Sequence, residues 1–305
     1  MKHVVISLLN FNSKKDTLEC LHSLKDIDKK NIKLTVVVVD NASKEEFNIE
    51  NGEIEGLPLV VIKESKNLGF SGGNNVVINY ALRNEADYVL ALNSDTYVDK
   101  NFLEELLKTI EKDNLIGIVA PKIYFAPGYE FHKEKYSQKE KGKVFWYAGG
   151  KIDWANVTGY HRGVDEVDHQ QYEKVEETEI ATGCCMLIRK EVFRKVGLFE
   201  DKYFLYYEDS DLCMRVKRKG FKILYVPSSI IWHKNAGSAG GSGSQLQDYY
   251  ITRNRLLFGS KFAPIRSKIA LFKESLRLLF SGRRWQKQGV VDFYLGRLGK
   301  GNYSV

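Results

Sequence analysis

Apolar and polar positions alternate in two rhythms through the first third of the chain. Val4–Leu9 reads as a strand, and Leu34–Val39 is a short β-branched run, apolar on both faces as in a buried parallel strand. Between them Ser13 stands where it can cap a helix bearing Leu18, Leu21 and Leu24 on one face. Leu59–Ile62 reads as a strand, Gly72–Arg83 as a helix, Asp87–Leu92 as a strand, Phe102–Ile110 as a helix and Ile116–Ala120 as a strand. Strands and helices taking turns in this way imply a parallel sheet covered by helices, an α/β fold. Ligands of such sheets bind at the carboxyl ends of the strands, so the residues just after each strand come under scrutiny.

The rhythm changes after residue 122. Tyr124–Gly142 is polar and reads as a loop, and Trp146–Gly163 alternates like a hairpin. Glu179–Arg189 reads as a strand, Lys190–Val196 as a helix, and Asp209–Lys219 as a helix that Gly220 ends. Phe221–Val226 and Ile230–Trp232 read as two short strands. AGSAGGSGS, residues 236–244, has the composition of a linker or mobile loop, and Gln245–Phe258 and Ile265–Phe280 read as helices beyond it. No internal repeat is visible.

Composition narrows the class. The chain has 305 residues, 43% apolar and 28% charged, which suits a globular protein and argues against global disorder. No run approaches the roughly 18 apolar residues of a spanning helix, and MKHVVISLLN is too short in apolar residues for a signal peptide. The four cysteines, Cys20, Cys184, Cys185 and Cys213, form no CxxC pair and read as buried thiols. A cytoplasmic location is the expectation. The net charge of +7 resides in the tail, because residues 261–305 carry ten Lys and Arg against two Asp and Glu, a balance of +8.

Five places could carry chemistry. Asp40 ends the VVVVD strand, where a carboxylate can accept N–H bonds from a nucleobase or ribose, or simply close a turn. Asp95 ends ALNSD, where a hard carboxylate with substrate phosphates can hold Mg²⁺ or Mn²⁺, or form an Asx turn. NLGFSGGNN, residues 67–75, could present backbone N–H groups to an anion or be a turn and helix cap. It lacks the spacing of a nucleoside-triphosphate or dinucleotide loop. YYEDSDLCMR puts three acids at a helix start after aromatic residues. One serves as a cap, while a carboxylate beside aromatic walls can have a raised pKa and act as a general base. His233 closes a strand and could be a structural hydrogen-bonding group or a metal ligand.

In this order, VVVVDNAS, NLGFSGGNN, VLALNSD, TGCCMLIRKEVFRKVGLFED, YFLYYEDSDLCMRVKRKG and WHKNAG resemble glycosyltransferase family 2, and most closely its rhamnosyltransferase-like branch. The resemblance implies a GT-A fold: a mixed, mainly parallel sheet flanked by helices. Residues 1–240 would form the catalytic domain, with 1–122 the nucleotide-sugar half and 123–240 the acceptor half. Residues 245–305 would form a basic helical C-terminal region. Asn93-Ser94-Asp95 falls on the family's DxD-type motif, so Asp95 resembles its metal ligand, with His233 the second and Mg²⁺ or Mn²⁺ the cofactor. Glu208-Asp209 falls on the ED motif, with Asp209 as general base. Leu9, Asn10, Asn12, Asp40, Asn67, Gly69, Phe70, Gly73, Asn74, Asn93, Ser94, Gly183 and Cys184 would bind the substrates, Asp40 at the nucleobase. The implied reaction is a single inverting displacement. It would move a sugar, first L-rhamnose from dTDP-rhamnose and otherwise a UDP-linked hexose or galactofuranose, onto a glycan or lipid-linked glycan acceptor in surface polysaccharide synthesis.

Two rivals remain. A nucleotidyltransferase would bring a Gly-rich basic N-terminal loop, which SLLNFNSKK is not. A non-catalytic nucleotide- or glycan-binding protein would have no use for the Asp95, Asp209 and His233 set. In the tail, Ile265, Ile269, Phe272, Leu276 and Leu279 share one helical face, with Arg266, Lys273 and Arg277 beside it and RRWQK following. Such a helix either lies on an anionic membrane, making the protein peripheral on the inner face of the cytoplasmic membrane, or packs on the catalytic domain. Nucleic acid is not an expected partner, since no basic-aromatic reading surface appears elsewhere. Nothing in the sequence sets an oligomeric state.

Overall fold

A computed structural model describes residues 1–49, 54–235 and 243–303. The 236–244 linker reading therefore lies mostly outside the described residues. In the first half β1 (Lys2–Asn10), α1 (Lys14–Lys25), β2 (Ile32–Asp40), β3 (Leu59–Lys63), α2 (Gly69–Arg83), β4 (Tyr88–Asn93), β5 (Thr96–Val98), α3 (Phe102–Ile110) and β6 (Ile116–Phe125) follow one another. In the second half come β7 (Phe145–Tyr147), β8 (Gly150–Asp153), β9 (Thr158–His161), β10 (Glu176–Glu177), β11 (Cys185–Arg189), α4 (Lys190–Val196), α5 (Glu208–Arg218) and β12 (Lys222–His233). Three helices close the chain: α6 (Gln245–Phe262), α7 (Ile265–Ser281) and α8 (Arg284–Tyr294).

The central ten-stranded sheet runs β10-β12-β6-β11-β4-β1-β2-β3, with β5 on β12 and β7 on β6. The β4-β1-β2-β3 half is parallel throughout, as the βαβ rhythm requires. Val4, Val5, Ile6, Leu8 and Val36–Val39 have no exposed surface, which is why both faces of β1 and β2 are apolar. Chain order reverses between β1 and β4, which sets the sheet's switch point at their carboxyl ends, where Asn10 and Asn93 lie. β11 enters antiparallel to both β4 and β6 and makes the sheet mixed.

Several expectations needed correction. β11 begins only at Cys185; upstream, the Glu179 and Ile180 amides donate to the Gly150 carbonyl, and the Glu179 carboxylate accepts from Ile152 N at 2.7 Å. The two short strands after Gly220 are a single strand, β12, with a register shift between Val226 and Ile230. Pro227, which has no N–H to give the ladder, stands in that shift. Ser13 occupies the N-cap of α1 without capping through its side chain, and its Oγ lies 3.4 Å from Asn10 Oδ1. β5 and α8 were not foreseen. Of the C-terminal helices, α6 packs on the strands and turns before it: Phe258 stacks on Trp154 at 6.0 Å, and Asn254 reaches the backbone of 203–206.

Candidate active site

Strand pairing builds the first part of the site. β5 leaves the turn after β4 and pairs antiparallel with the end of β12, setting His233 opposite Thr96. This brings His233 Nε2 to 3.1 Å from Asp95 Oδ1, although 138 residues separate them. Lys234 N donates to the Asp95 carbonyl at 2.9 Å and fixes the turn. Lys234 Nζ pairs with Asp16 at 2.7 Å and with Glu19, tying the strand end to α1. Trp146 packs edge-on against His233, ring centroids 4.5 Å apart, and equally against His161. Burial, then the neighbouring His233, lowers the His161 pKa to about 4, so His161 is neutral at physiological pH.

The pair suits a hard divalent cation. A carboxylate oxygen and an imidazole nitrogen 3.1 Å apart match the edge of an octahedron with bonds of about 2.1 Å. Among the described residues no third His, Cys, Asp or Glu joins them. A cation held by these two side chains would take its other ligands from phosphate oxygens and water, the usual arrangement at diphosphate sites.

The second part of the site is linked to the first by the backbone between β11 and its preceding turn. Asn93 N donates to the Cys184 carbonyl at 2.8 Å, and Gly183 N donates to Asp209 Oδ2 at 3.0 Å. Asp209 therefore sits on the same rim as Asp95. Its Oδ1 accepts from Ser210 N at 2.6 Å and from Ser210 Oγ at 3.2 Å. The residue retains some exposed surface, but its carboxyl is enclosed by protein. That desolvation raises its pKa despite the bonds from Gly183 and Ser210. Glu208 beside it is buried, its Oε2 has no hydrogen-bond partner, and burial followed by the Asp209 charge raises its pKa well above the carboxylate range.

The Glu208 shift has a consequence for stability. A raised native pKa means that the folded state holds a proton that the unfolded state has released. Stability is thus full below the ordinary Glu value of 4.5 and is lost as pH rises toward the native value. Glu208→Gln removes the charge that must be avoided. It should raise the melting temperature at pH 8 by a few degrees and leave it unchanged at pH 4; equal shifts at both pH values would contradict this account.

The segment before these acids is under strain. Phe204, Tyr206 and Tyr207 have φ of 66°, 69° and 73°, a left-handed backbone that aromatic residues seldom adopt. Asn254 Nδ2 reaches the carbonyls of Tyr203, Leu205 and Tyr206 at 2.8 to 2.9 Å. Arg253, fully buried with its guanidinium 5.2 and 5.0 Å from the Tyr249 and Tyr250 rings, donates to the Tyr203 carbonyl at 2.9 Å. Sequence reasoning missed this clamp. Its signal was a polar Arg-Asn pair inside an aromatic and aliphatic helix.

Residues 67–75 form the turn and helix start that was one of their two readings: α2 begins at Gly69, and its first amides are occupied, Gly69 N bonding Asn67 Oδ1 at 2.8 Å, while Phe70 N and Ser71 N point to the Phe204 carbonyl. They are not offered to an anion. Gly69, with φ of 70°, has no room for a side chain, since a Cβ would lie 2.3 Å from Phe204 O. Gly73 lets α2 close on β1, as a Cβ there would meet Leu9 Cδ2 at 2.9 Å. Asn74 is internal, accepting from Ser7 Oγ at 2.7 Å and donating to Phe70 O at 3.0 Å. Gly73 and Asn74 are therefore packing positions.

Cys184 is likewise buried and takes part through its carbonyl; burial pushes its thiol pKa well up. Phe70 lies over Gly183. Asn10 bonds Asp40, Ser43 and Thr17, and Asn12, exposed, accepts from Lys44 N at 2.8 Å. Ser94 lies 3.5 Å from Ser13, Oγ to Oγ. Asp40 is buried and accepts from Asn10 Nδ2, Ser43 N and Phe47 N. Burial raises its pKa, but these bonds outweigh burial and the net shift is downward. Ser43, through its amide and its side chain, and Phe47 tie the carboxylate to the 40–47 turn, and Asn10 ties it to β1.

A family profile described as Glycosyl transferase family 2 matches residues 5–197, and one described as Glycosyl transferase family group 2 matches 142–295. Among curated proteins, the low-salt glycan biosynthesis hexosyltransferase Agl10 of Haloferax volcanii is 27% identical over 255 residues, 83% of this chain and 74% of its own length. The dTDP-rhamnosyl transferase RfbF of Shigella flexneri is 23% identical over 229 residues, 73% of this chain and 69% of its own. Among solved structures, GalNAc-T7 with UDP, GalNAc and Mn²⁺ superposes with a TM-score of 0.61 at 16% identity. That match covers 97% of this chain and 57% of GalNAc-T7.

Proposed function

Because this chain belongs to glycosyltransferase family 2 and has the GT-A fold, we propose that it transfers a sugar from a nucleoside diphosphate donor to an acceptor hydroxyl in glycan biosynthesis, inverting the anomeric centre. The observation that carries this reading is the contact of His233 with Asp95, on one rim with Asp209, at the carboxyl ends of the strands. Asp95 and His233 would hold Mg²⁺ or Mn²⁺, which when bound offsets negative charge on the diphosphate. Asp209, enclosed and made more basic, takes the acceptor hydroxyl's proton as that oxygen attacks. Burial raises the pKa of Glu208 beside it more strongly, so of the two carboxyls Glu208 holds a proton the more readily. Asp40, buried at the end of β2 beside Asn10, is the residue this reading assigns to the nucleobase or ribose.

RfbF's name favours dTDP-rhamnose as the first donor to test, and GalNAc-T7 is recorded with UDP, so UDP-hexoses and UDP-galactofuranose follow. Glycans and lipid-linked glycans are the acceptors to pair with them. The test is product formation with this donor panel in the presence of Mn²⁺ or Mg²⁺; specific binding of a donor without transfer to any acceptor would point to a non-catalytic binding protein. In a thermal-melting measurement Asp95→Ala should abolish the rise in melting temperature that Mn²⁺ gives with the nucleoside diphosphate. Unchanged Mn²⁺ titration would remove Asp95 as a ligand.

A further inference from the structure

The tail helix α7 leaves its most apolar face uncovered. Ile265, Ile269, Phe272, Leu276 and Phe280 follow one another at spacings of four, three, four and four residues, and each is 41% to 84% exposed. Phe280 takes the place on this stripe that the sequence pattern gave to Leu279, which is half-buried. The other face is the packed one. Ser267, Leu271 and Ser275 are buried, and Leu271 fits over Gly259 of α6 so closely that a Cβ there would lie 2.2 Å from its Cδ1. The apolar stripe is thus not the face by which α7 packs on the rest of the protein.

Charge separates along the same helix. At 100° per residue, Arg266, Lys273 and Arg277 border the stripe on one side and Lys268 borders it on the other. Glu274, the one acid in α7, lies toward the packed side and pairs with Arg255 at 2.9 Å. The exposed half therefore presents aliphatic and aromatic side chains framed by cations alone. Among the described residues no helix is long and apolar enough to cross a membrane.

We propose that α7 is a membrane-contact helix that lies in the plane of an anionic lipid surface, with its stripe sunk to the boundary of headgroups and acyl chains and its cations among the phosphates. A bilayer fits better than a second copy of the chain, because stripe-to-stripe pairing would bring two cationic borders together. The inference goes beyond the transfer reaction and stands without it, since nothing in it involves the rim acids.

The test is co-sedimentation of the full chain with vesicles, with no donor or metal present. The protein should pellet with phosphatidylglycerol-phosphatidylcholine vesicles and not with phosphatidylcholine alone, and binding should weaken with added salt. The variant Ile269→Gln, Phe272→Gln, Phe280→Gln should bind at least tenfold more weakly with an unchanged melting temperature, because these side chains are exposed. Arg266→Gln, Lys273→Gln and Arg277→Gln should each weaken binding about fivefold. Absence of binding to anionic vesicles, equal binding to neutral ones, or equal binding by the stripe variant would overturn the proposal. So would stripe-dependent self-association in sedimentation velocity without vesicle binding.

Discussion

Asp209→Asn is expected to lower the turnover number by about 10²–10⁴-fold while leaving donor affinity close to that of the native chain, in keeping with the usual contribution of a positioned general base. The carboxylate sits where β11, α5 and the end of β4 meet, its two oxygens oriented by Gly183 and Ser210. Asparagine has nearly the same shape but offers one acceptor where the carboxylate offers two. It loses the proton-accepting role and one of those orienting bonds. Enclosure has raised the native pKa, so the unmodified enzyme's rate should fall on acidification at a pH above the ordinary carboxylate range. The variant's residual rate should lack that limb. Steady-state rates across pH, with calorimetric binding of the nucleoside diphosphate, check both points. Near-native turnover removes Asp209 as the base, and loss of donor binding with turnover shows a structural role instead.

The parts legible in the sequence were those with local causes. β1 and β2 announce themselves because both their faces are buried, so their sequence is nearly unbroken apolar. α4 runs over the residues its pattern gave, Lys190–Val196, and Gly197 follows with φ of 88°. What depended on distant pairing was hidden. β5 is only Thr96–Val98, and its existence rests on β12, yet it is β5 that carries Asp95 to His233. The Gly- and Asn-rich 67–75 stretch shows why its two readings stayed open. Glycines that admit a ligand's phosphate and glycines that admit a neighbouring strand look alike in one sequence, and here Gly73 serves β1. The left-handed aromatic residues before Glu208 have no local signal at all, since the force that holds them comes from α6, about fifty residues later.

That distant hold makes Asn254→Ala the second substitution with a large expected effect. Three non-glycine residues in the left-handed region cost about 1–2 kcal/mol each, and the segment stays there because the Asn254 amide meets the Tyr203, Leu205 and Tyr206 carbonyls. Alanine leaves these acceptors short of a donor, at about 1–3 kcal/mol for each one that stays buried and unpaired. Relaxation of the segment offsets part of that cost, but α5 starts at Glu208 directly after Tyr207, so any relaxation moves Asp209 with it. The Phe204 carbonyl, which closes the start of α2, moves too. A displacement of about 1 Å at a reacting group is enough to lose on the order of 10²-fold in rate. The variant should therefore melt lower and, assayed well below its melting temperature, turn over about a hundredfold more slowly with little change in donor KM. Arg253, which still donates to Tyr203, should keep the chain folded. A lower melting temperature with an unchanged turnover number would make Asn254 a stabilising clamp only, and an unchanged melting temperature would show that the strained segment is held by something other than Asn254.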